Sequence, residues 1–499
     1  MAELRINGFV LRTVEVWRTA WPAKSGREPD RALLYLAPQE ARDAGVALAE
    51  PQECIVELDG EREVVATVRA WRSAGRAGSI ACVLIAPRSF LHDLQQAFGW
   101  EPDARPAPVN PRETPVPDET ILQFGTGKFL RCFADLFVHE ANTSTARAHR
   151  ADADGHPSPL GRPPPGRVVV VQSTGSERAQ AFNQQGGRYH VAIRGLDHGQ
   201  RVDRTVEVHS VRRALAAATD WDEVLAVARS RSLRAIVSNT TEAGYALHPD
   251  DAPDDAPPRS FPAKLLAVLK ARFEANLPPV AILPCELLEQ NGARLVGLLV
   301  DQGERWGCSP ELRVWIEAGC LAPNTLVDRI VAAPSPGDPM ADRDPLFAVA
   351  EPFALWLMDH SPGVPGLLEH PAVRVVDDLE PFHLRKVRIL NGAHTALVAK
   401  AMPMGLETVR SAVEDERVRP WLESLLFDEI VPTLEGRTEA PEQFAFDVLE
   451  RFANPFLEHR LADIALHHDV KLQTRLVPTL DEYRERFGHT PPCLGELLS

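Results

Sequence analysis

A strand that runs into a glycine turn and then straight into a helix constrains this chain most. Thr120-Ile-Leu-Gln-Phe reads as a strand, Gly125-Thr126-Gly127 follows, and an amphipathic helical pattern continues to about Glu140. Further buried strands are expected at Arg167-Val-Val-Val-Val-Gln, Arg234-Ala-Ile-Val-Ser and Val280-Ala-Ile-Leu-Pro. Between them, Asp220–Arg229 reads as helix. Short apolar runs alternating with helices predict a doubly wound parallel sheet of Rossmann type, an α/β fold. From about residue 340 the strand signals fade and helical patterns take over, as in Asp377–Met402 and Pro441–Thr479. The expected division is 119–339 for the sheet domain and 340–499 for an all-α C-terminal domain.

Residues 1–100 have a different grammar. Short alternating segments such as Cys54-Ile-Val-Glu-Leu predict a small β-rich module. Residues 101–118 are dense in proline and polar side chains and read as a stiff linker. A second proline-, glycine- and alanine-rich stretch at about 142–166 reads as an exposed insertion. The formal net charge is −16, which argues against nucleic acid as a partner. Seven cysteines, an odd number with no Cys-x-x-Cys pair, argue against a disulfide framework or a structural zinc. The N-terminal segment lacks the apolar core of a signal peptide, and no apolar run reaches about 20 residues. A cytoplasmic protein working without membrane or metal is expected.

The glycine turn indicates what the sheet binds. In such folds an anion sits where a strand hands over to a helix N-terminus, whose N–H groups are unpaired. Gly125 permits the tight turn and Gly127 lets backbone approach a pyrophosphate. Phe124, Gly125, Thr126, Gly127, Lys128 and Phe129 are the expected cofactor cradle, although Leu130 replaces the third glycine of the full motif. Gln172, at the end of the second strand, stands where an acidic residue usually meets the ribose hydroxyls. The reading favours NAD, with nearby Arg178 arguing for NADP. Asn239 and Thr240 follow another strand end and are expected beside the cofactor.

Lys386, Asn391 and His394 carry the chemistry. On a regular helix Asn391 lies at about 140° and His394 at about 80° from Lys386, all within one arc. A desolvated lysine can shuttle a hydroxyl proton. An amide and an imidazole can hydrogen-bond the oxygen where alkoxide charge develops. The Asn391-Gly392 pair is a poor helix former, and such local rule-breaking is expected at functional sites.

The spacing Lys386-x4-Asn391-x2-His394 resembles the catalytic signature of the mannitol dehydrogenase family, the polyol-specific long-chain dehydrogenases. The resemblance spans about 119–480 and includes Gln123–Arg131, Ser238–Gly244, Leu326-Val-Asp-Arg-Ile330, Val376-Asp-Asp-Leu379 and Arg451-Phe-Ala-Asn-Pro455. It implies hydride transfer with a nicotinamide cofactor, no metal, and a sugar-type substrate. Within the family, Ser238–Gly244, Pro284–Gly292 and Lys386–Leu397 look like the tagaturonate reductase branch, which interconverts D-tagaturonate and D-altronate. Relatives acting on mannitol or fructuronate tend to have Ser-Cys-Asp-Asn where this chain has Pro-Cys-Glu-Leu, so Leu287 stands where their additional oxyanion asparagine would be. Asn391 and His394 are then left as the main oxyanion donors.

The resemblance also implies substrate contacts at Asp328 and Arg329, although by itself the pair reads as a structural ion pair between apolar neighbours. Arg451, Lys471 and Arg475 are candidates for a substrate carboxylate, since arginine suits bidentate carboxylate binding. Residues 1–100 have no counterpart in the resemblance, and relatives usually carry further helices beyond the position of Ser499. Two other functions stay open: a mannitol, arabinitol or fructuronate dehydrogenase of the same family, and a non-catalytic dinucleotide or sugar-acid sensor. An intact lysine, asparagine and histidine argue against the sensor.

Overall fold

The computed structural model describes 118–148, 165–240, 242–335, 337–359 and 368–498, together with seven strands in the N-terminal region. Those strands are β1 Leu4–Ile6, β2 Phe9–Leu11, β3 Glu15–Arg18, β4 Arg31–Leu36, β5 Gln52–Leu58, β6 Arg62–Arg72 and β7 Ile80–Ile85. They form one antiparallel sheet in the order β2-β1-β5-β6-β7-β4-β3, the β-rich module expected there. The proline-rich linker lies outside the described residues apart from its last position, Asp118.

The central sheet is built from β8 Ile121–Phe124, β9 Val168–Gln172, β12 Val211–Ala216, β13 Ala235–Ser238 and β14 Ala281–Pro284. All neighbours are parallel and the order is β12-β9-β8-β13-β14. β8, β9, β13 and β14 are buried along their whole length. That is why they read as continuous apolar runs, as parallel strands covered on both faces do. One face packs Leu130, Phe133, Phe137 and Val170, the other Phe124, Val171, Leu265 and Leu269. The strand order reverses between β8 and β13, which opens a crevice at their carboxyl ends.

The helix after β8 is not one rod. α1 Lys128–Cys132 stops at Phe133, which leaves helical geometry (φ −127°, ψ −93°), and α2 Ala134–Ala148 restarts. α2 thus runs into the stretch read as an insertion, where the Asn142 side chain bonds both backbone groups of Gly166. Residues 149–164 lie outside the described ones. α3 Glu177–Gln184, α4 Ala217–Ala228, α5 Phe261–Glu274 and α6 Asn291–Arg305 cover the sheet. α5 starts where Ser260 caps it, its hydroxyl accepting from the Ala263 N–H, with Pro262 in the first turn.

Two smaller sheets flank this core. β10 Tyr189–Asp197 and β11 Gln200–Val208 form a long hairpin that joins β17 Ala348–Ala350 and β16 Val331–Ala332. β15 Thr325–Asp328, β18 Leu355–Asp359 and β19 Val373–Val376 form the third sheet. The expectation that strands end near residue 340 is therefore corrected: β17, β18 and β19 all lie beyond it. They are three to five residues long, too short for a local pattern to announce them.

The C-terminal region is helical from α7 Glu380–Arg385 onward, later than the expected start at Asp377. It continues through α8 Gly392–Ala401, α9 Pro441–Phe452 and α10 Val477–Phe487 around a core of Leu397, Leu422, Leu426 and Val448. Two π-turns interrupt it close to the expected site, Lys386–Asn391 and Leu472–Leu476. Among the described residues no helix is long and apolar enough to cross a membrane.

Candidate active site

The crevice at the sheet's switch point is lined as the glycine turn predicts. Gly125 has φ +128°, and a Cβ there would stand 2.9 Å from the Asn239 carbonyl oxygen and 3.0 Å from Leu130 Cδ1. Only glycine lets the β8 and β13 loops approach this closely. Gly127 has open space around it. Arg131 ties the turn from below, donating to the Thr126 carbonyl (2.5 Å) and the Leu346 carbonyl (2.9 Å). Lys128 is exposed at the helix start.

The β13 and β14 loops are bound together by Glu286. Its buried carboxylate accepts from Ser238 Oγ (3.1 Å), Thr240 N (2.9 Å), Thr240 Oγ1 (3.2 Å) and Tyr245 OH (3.1 Å). Burial pushes the Glu286 carboxyl up, and these donors offset part of that push. Asn239 Nδ2 donates to the Cys285 carbonyl (2.6 Å). Leu287, next in chain, is 66% exposed.

Three expected cofactor contacts need correction. The Phe124 ring points into the core against Phe261, so only its backbone reaches the crevice. Phe129 stacks on Phe133 with ring centroids 4.8 Å apart. Gln172 is buried and turned into its own loop, donating to the Thr174 carbonyl (2.8 Å) and accepting from the Ala179 N–H (2.9 Å). It shapes the β9–α3 loop and does not face a ribose. The loop presents Glu177 instead, an exposed carboxylate that accepts from Ser176 N (3.2 Å). Its place beyond Gln172 hid it from a reading that looked only at the strand end.

The Lys386–Asn391 π-turn carries the catalytic candidates. Its i→i+5 pattern breaks the 100° increments assumed from sequence, and such turns recur at functional sites. Lys386 is partly buried and its Nζ donates to the Val327 carbonyl at 2.8 Å. Burial lowers its pKa most; Asp328 opposes that, while Arg451 and Arg475 add to it. The Asn391 carbonyl accepts from Thr395 Oγ1 (2.9 Å), and its side-chain amide makes no hydrogen bond among the described residues. His394 lies against Phe452 (4.3 Å) and His459 (4.9 Å), and its buried Nε2 has no partner among the described residues. Burial and His459 hold its pKa well below the usual histidine value, so it is neutral at physiological pH.

The expected substrate residues divide into two groups. Arg451 is buried and its guanidinium is held by two carboxylates: Nη1 and Nη2 meet Asp328 (3.2 and 2.8 Å), while Nε and Nη2 meet Glu351 (3.0 and 2.8 Å). Asp328 is closed off by that contact. Arg329 donates to the Glu351 and Cys132 carbonyls and is equally buried. These three are held by partners within the chain. Arg475 differs. It is partly buried, and its recorded hydrogen bond goes to the Thr395 hydroxyl (3.2 Å). Lys471 Nζ meets only the Ile464 carbonyl (2.7 Å). Neither has a carboxylate partner among the described residues. Arg475 is close enough to depress the basicity of both Lys386 and His394.

A nicotinamide dinucleotide suits this crevice. The cradle at Gly125 is one a Cβ would fill, and the space over Gly127 is open.

Comparison with known proteins places the chain in a family. The Mannitol dehydrogenase Rossmann domain matches residues 167–369 and the Mannitol dehydrogenase C-terminal domain matches 378–493. The altronate oxidoreductase of Bacillus subtilis (strain 168) is 37% identical over 394 residues, 75% of this chain and 77% of the relative. That of Pectobacterium carotovorum subsp. carotovorum (strain PC1) is 37% identical over 403 residues, 76% and 78%. Among solved structures, a D-sorbitol dehydrogenase in substrate-free form has a TM-score of 0.62 at 23% identity, covering 76% of this chain and 78% of that one. A Pseudomonas fluorescens mannitol 2-dehydrogenase, in ternary complex with NAD and D-mannitol, has 0.61 at 20%, covering 77% and 78%; both share the fold. With family models spanning both the sheet and the helical regions, and relatives 37% identical over three quarters of its length, the chain belongs to the mannitol dehydrogenase family of nicotinamide-dinucleotide-dependent dehydrogenases.

Proposed function

We propose that this dehydrogenase interconverts D-tagaturonate and D-altronate with NAD(H), and that Lys386 carries the hydroxyl proton. The observation that carries the reading is the pairing of a desolvated Lys386 with Arg475, a cation that has no carboxylate of its own. A hexonate supplies what this arrangement lacks: a carbinol for the lysine and a carboxylate for the arginine. The names of the relatives, altronate oxidoreductases, point the same way.

When bound, the nicotinamide supplies the hydride acceptor or donor. Lys386, as the free amine, takes the carbinol proton in oxidation; as the ammonium, it returns that proton in reduction. Asn391 donates to the substrate oxygen as alkoxide charge develops. His394 offers an unpartnered Nε2 to the same region. The Leu390 carbonyl acts on the imidazole as a hydrogen-bond partner that favours its protonated form. Arg475, with Lys471 beside it, receives the carboxylate. Arg329, Arg451 and Asp328 hold the floor of the site without touching substrate. Glu177, at the edge where the ribose would lie, disfavours a 2′-phosphate and supports NAD over NADP.

Purified protein tests this with NADH oxidation on D-tagaturonate, D-fructuronate and D-fructose under identical conditions. D-tagaturonate is expected to give the highest kcat/KM. Turnover of fructose or fructuronate without tagaturonate would move the chain to another branch. Binding of NADH with no turnover on any keto sugar or keto acid would make it a sensor.

A further inference from the structure

Glu351 stands outside the residues that the sequence placed in the site, yet it belongs to the most charged buried cluster in the described residues. It follows β17, and its side chain is 1% exposed. Arg451 from α9 is shared between Glu351 and Asp328, the last residue of β15. The Glu351 Oε1 also accepts from the Ile330 N–H (2.6 Å), and its backbone carbonyl accepts two bonds from Arg329 (3.0 and 2.8 Å). The carboxylate is thus fixed from two directions, and its backbone from a third. Phe353 covers the guanidinium, 4.3 Å from its ring centroid.

The charge count gives this arrangement a consequence. Two carboxylates, Asp328 and Glu351, share the Arg451 guanidinium, and Arg329, which meets only carbonyls, adds a second buried cation, so the cluster beside Lys386 is neutral as a whole. A buried cluster kept neutral leaves the attraction of Asp328 available to the lysine's ammonium. The charged groups facing Lys386 are Asp328 from β15, Arg451 from α9 and Arg475 from the Leu472–Leu476 π-turn, with His383 on its own helix. Asp328 attracts the ammonium, and the two arginines repel it. Without Glu351 the cluster would carry one net positive charge, and Lys386 would face stronger repulsion.

We propose that Glu351 is a positioning residue that engages Arg451, leaves Asp328 partly uncompensated, and thereby preserves the ammonium form of Lys386 needed for carbonyl reduction. The proposal rests on the reading of Lys386 as proton carrier. Glu351 touches neither substrate nor cofactor and acts through two intermediaries.

The test is the pH dependence of kcat for altronate oxidation, which rises as Lys386 loses its proton. Glu351→Gln should move that acidic limb to lower pH by about one unit, the low end of the effect of a nearby charge. Glu351→Asp keeps the charge and should restore the limb even if turnover falls. Replacing both charges, Glu351→Gln with Arg451→Gln, leaves Asp328 unopposed and should move the limb the other way, to higher pH. If the single variant does not fold, the double variant decides, because it removes the charges as a pair. A residue that only packs would lower turnover equally at all pH values. Limbs coinciding with the wild type's in the single and double variants would overturn the proposal. Lys386→Ala separates the two ideas: it should abolish the limb. A limb that survives there would refute the lysine assignment itself, whatever Glu351 does.

Discussion

Arg475→Ala should separate acid substrates from neutral ones. Arg475 is partly buried, and its recorded bond to the chain is the 3.2 Å contact with the Thr395 hydroxyl. Removing it therefore disturbs little of the fold, whereas truncating Arg451 would strand two buried carboxylates. A hydrogen bond to a charged group contributes about 1.5–3 kcal/mol. Losing it from the transition state corresponds to roughly 10–100-fold in kcat/KM, at about 1.4 kcal/mol per decade. A neutral hexitol has no carboxylate to lose and should change by no more than a few-fold. Arg475 also depresses the basicity of Lys386, so its removal should raise the pH of half-maximal oxidation. Steady-state kcat/KM for D-altronate and D-mannitol, in wild type and variant, measures the difference directly. Where mannitol turnover is too slow, its competitive inhibition constant serves. Equal losses for the two compounds would refute the assignment of Arg475 to the carboxylate.

Gly125→Ala should weaken NADH binding about 5- to 100-fold by fluorescence titration, because φ +128° and a 2.9 Å approach to Asn239 O together imply strain of order 1–3 kcal/mol. Unchanged affinity would mean that the turn does not cradle the cofactor. Glu177→Ala should narrow the preference for NAD over NADP about five- to tenfold in kcat/KM, the scale of an exposed charge near a phosphate; an unaltered ratio would remove Glu177 from the ribose edge. Asp135 is buried beneath the turn, where desolvation raises its pKa to about 7 despite bonds from Tyr189 OH (3.1 Å) and Gln123 Nε2 (3.4 Å). Its folded pKa exceeds the unfolded value of 3.8, so it favours folding at low pH, and that contribution is lost as pH rises through about 7. Asp135→Asn should therefore flatten the fall in Tm between pH 5 and 8, an effect on the order of a few kcal/mol. A Tm profile parallel to the wild type's would contradict the shift.

What the sequence made legible follows from how local each signal is. β8, β9, β13 and β14 are buried on both faces, so short, largely apolar runs announced each of them. The β10–β11 hairpin has an exposed outer strand, and β17 is three residues long and pairs with β10 more than 150 positions earlier. No local pattern carries that information. The lysine, asparagine and histidine were found from their spacing, yet their angular relation was not, because a π-turn is invisible to a helical wheel. Arg451 shows the limit most clearly. Its charge indicated a carboxylate partner, but only the folded structure reveals that the partners are Asp328 and Glu351. Glu351 had no signal of its own, since a lone glutamate after a short strand looks like any surface acid.

Altronate oxidation by Lys386→Ala, followed across pH alongside NADH affinity, tests the central claim most directly. The account predicts turnover lower by about 10²–10⁴-fold, the usual contribution of a general acid–base group, with NADH bound as tightly as in the wild type and the acidic limb gone. Near-normal turnover with the limb intact would contradict it and assign the proton to another group.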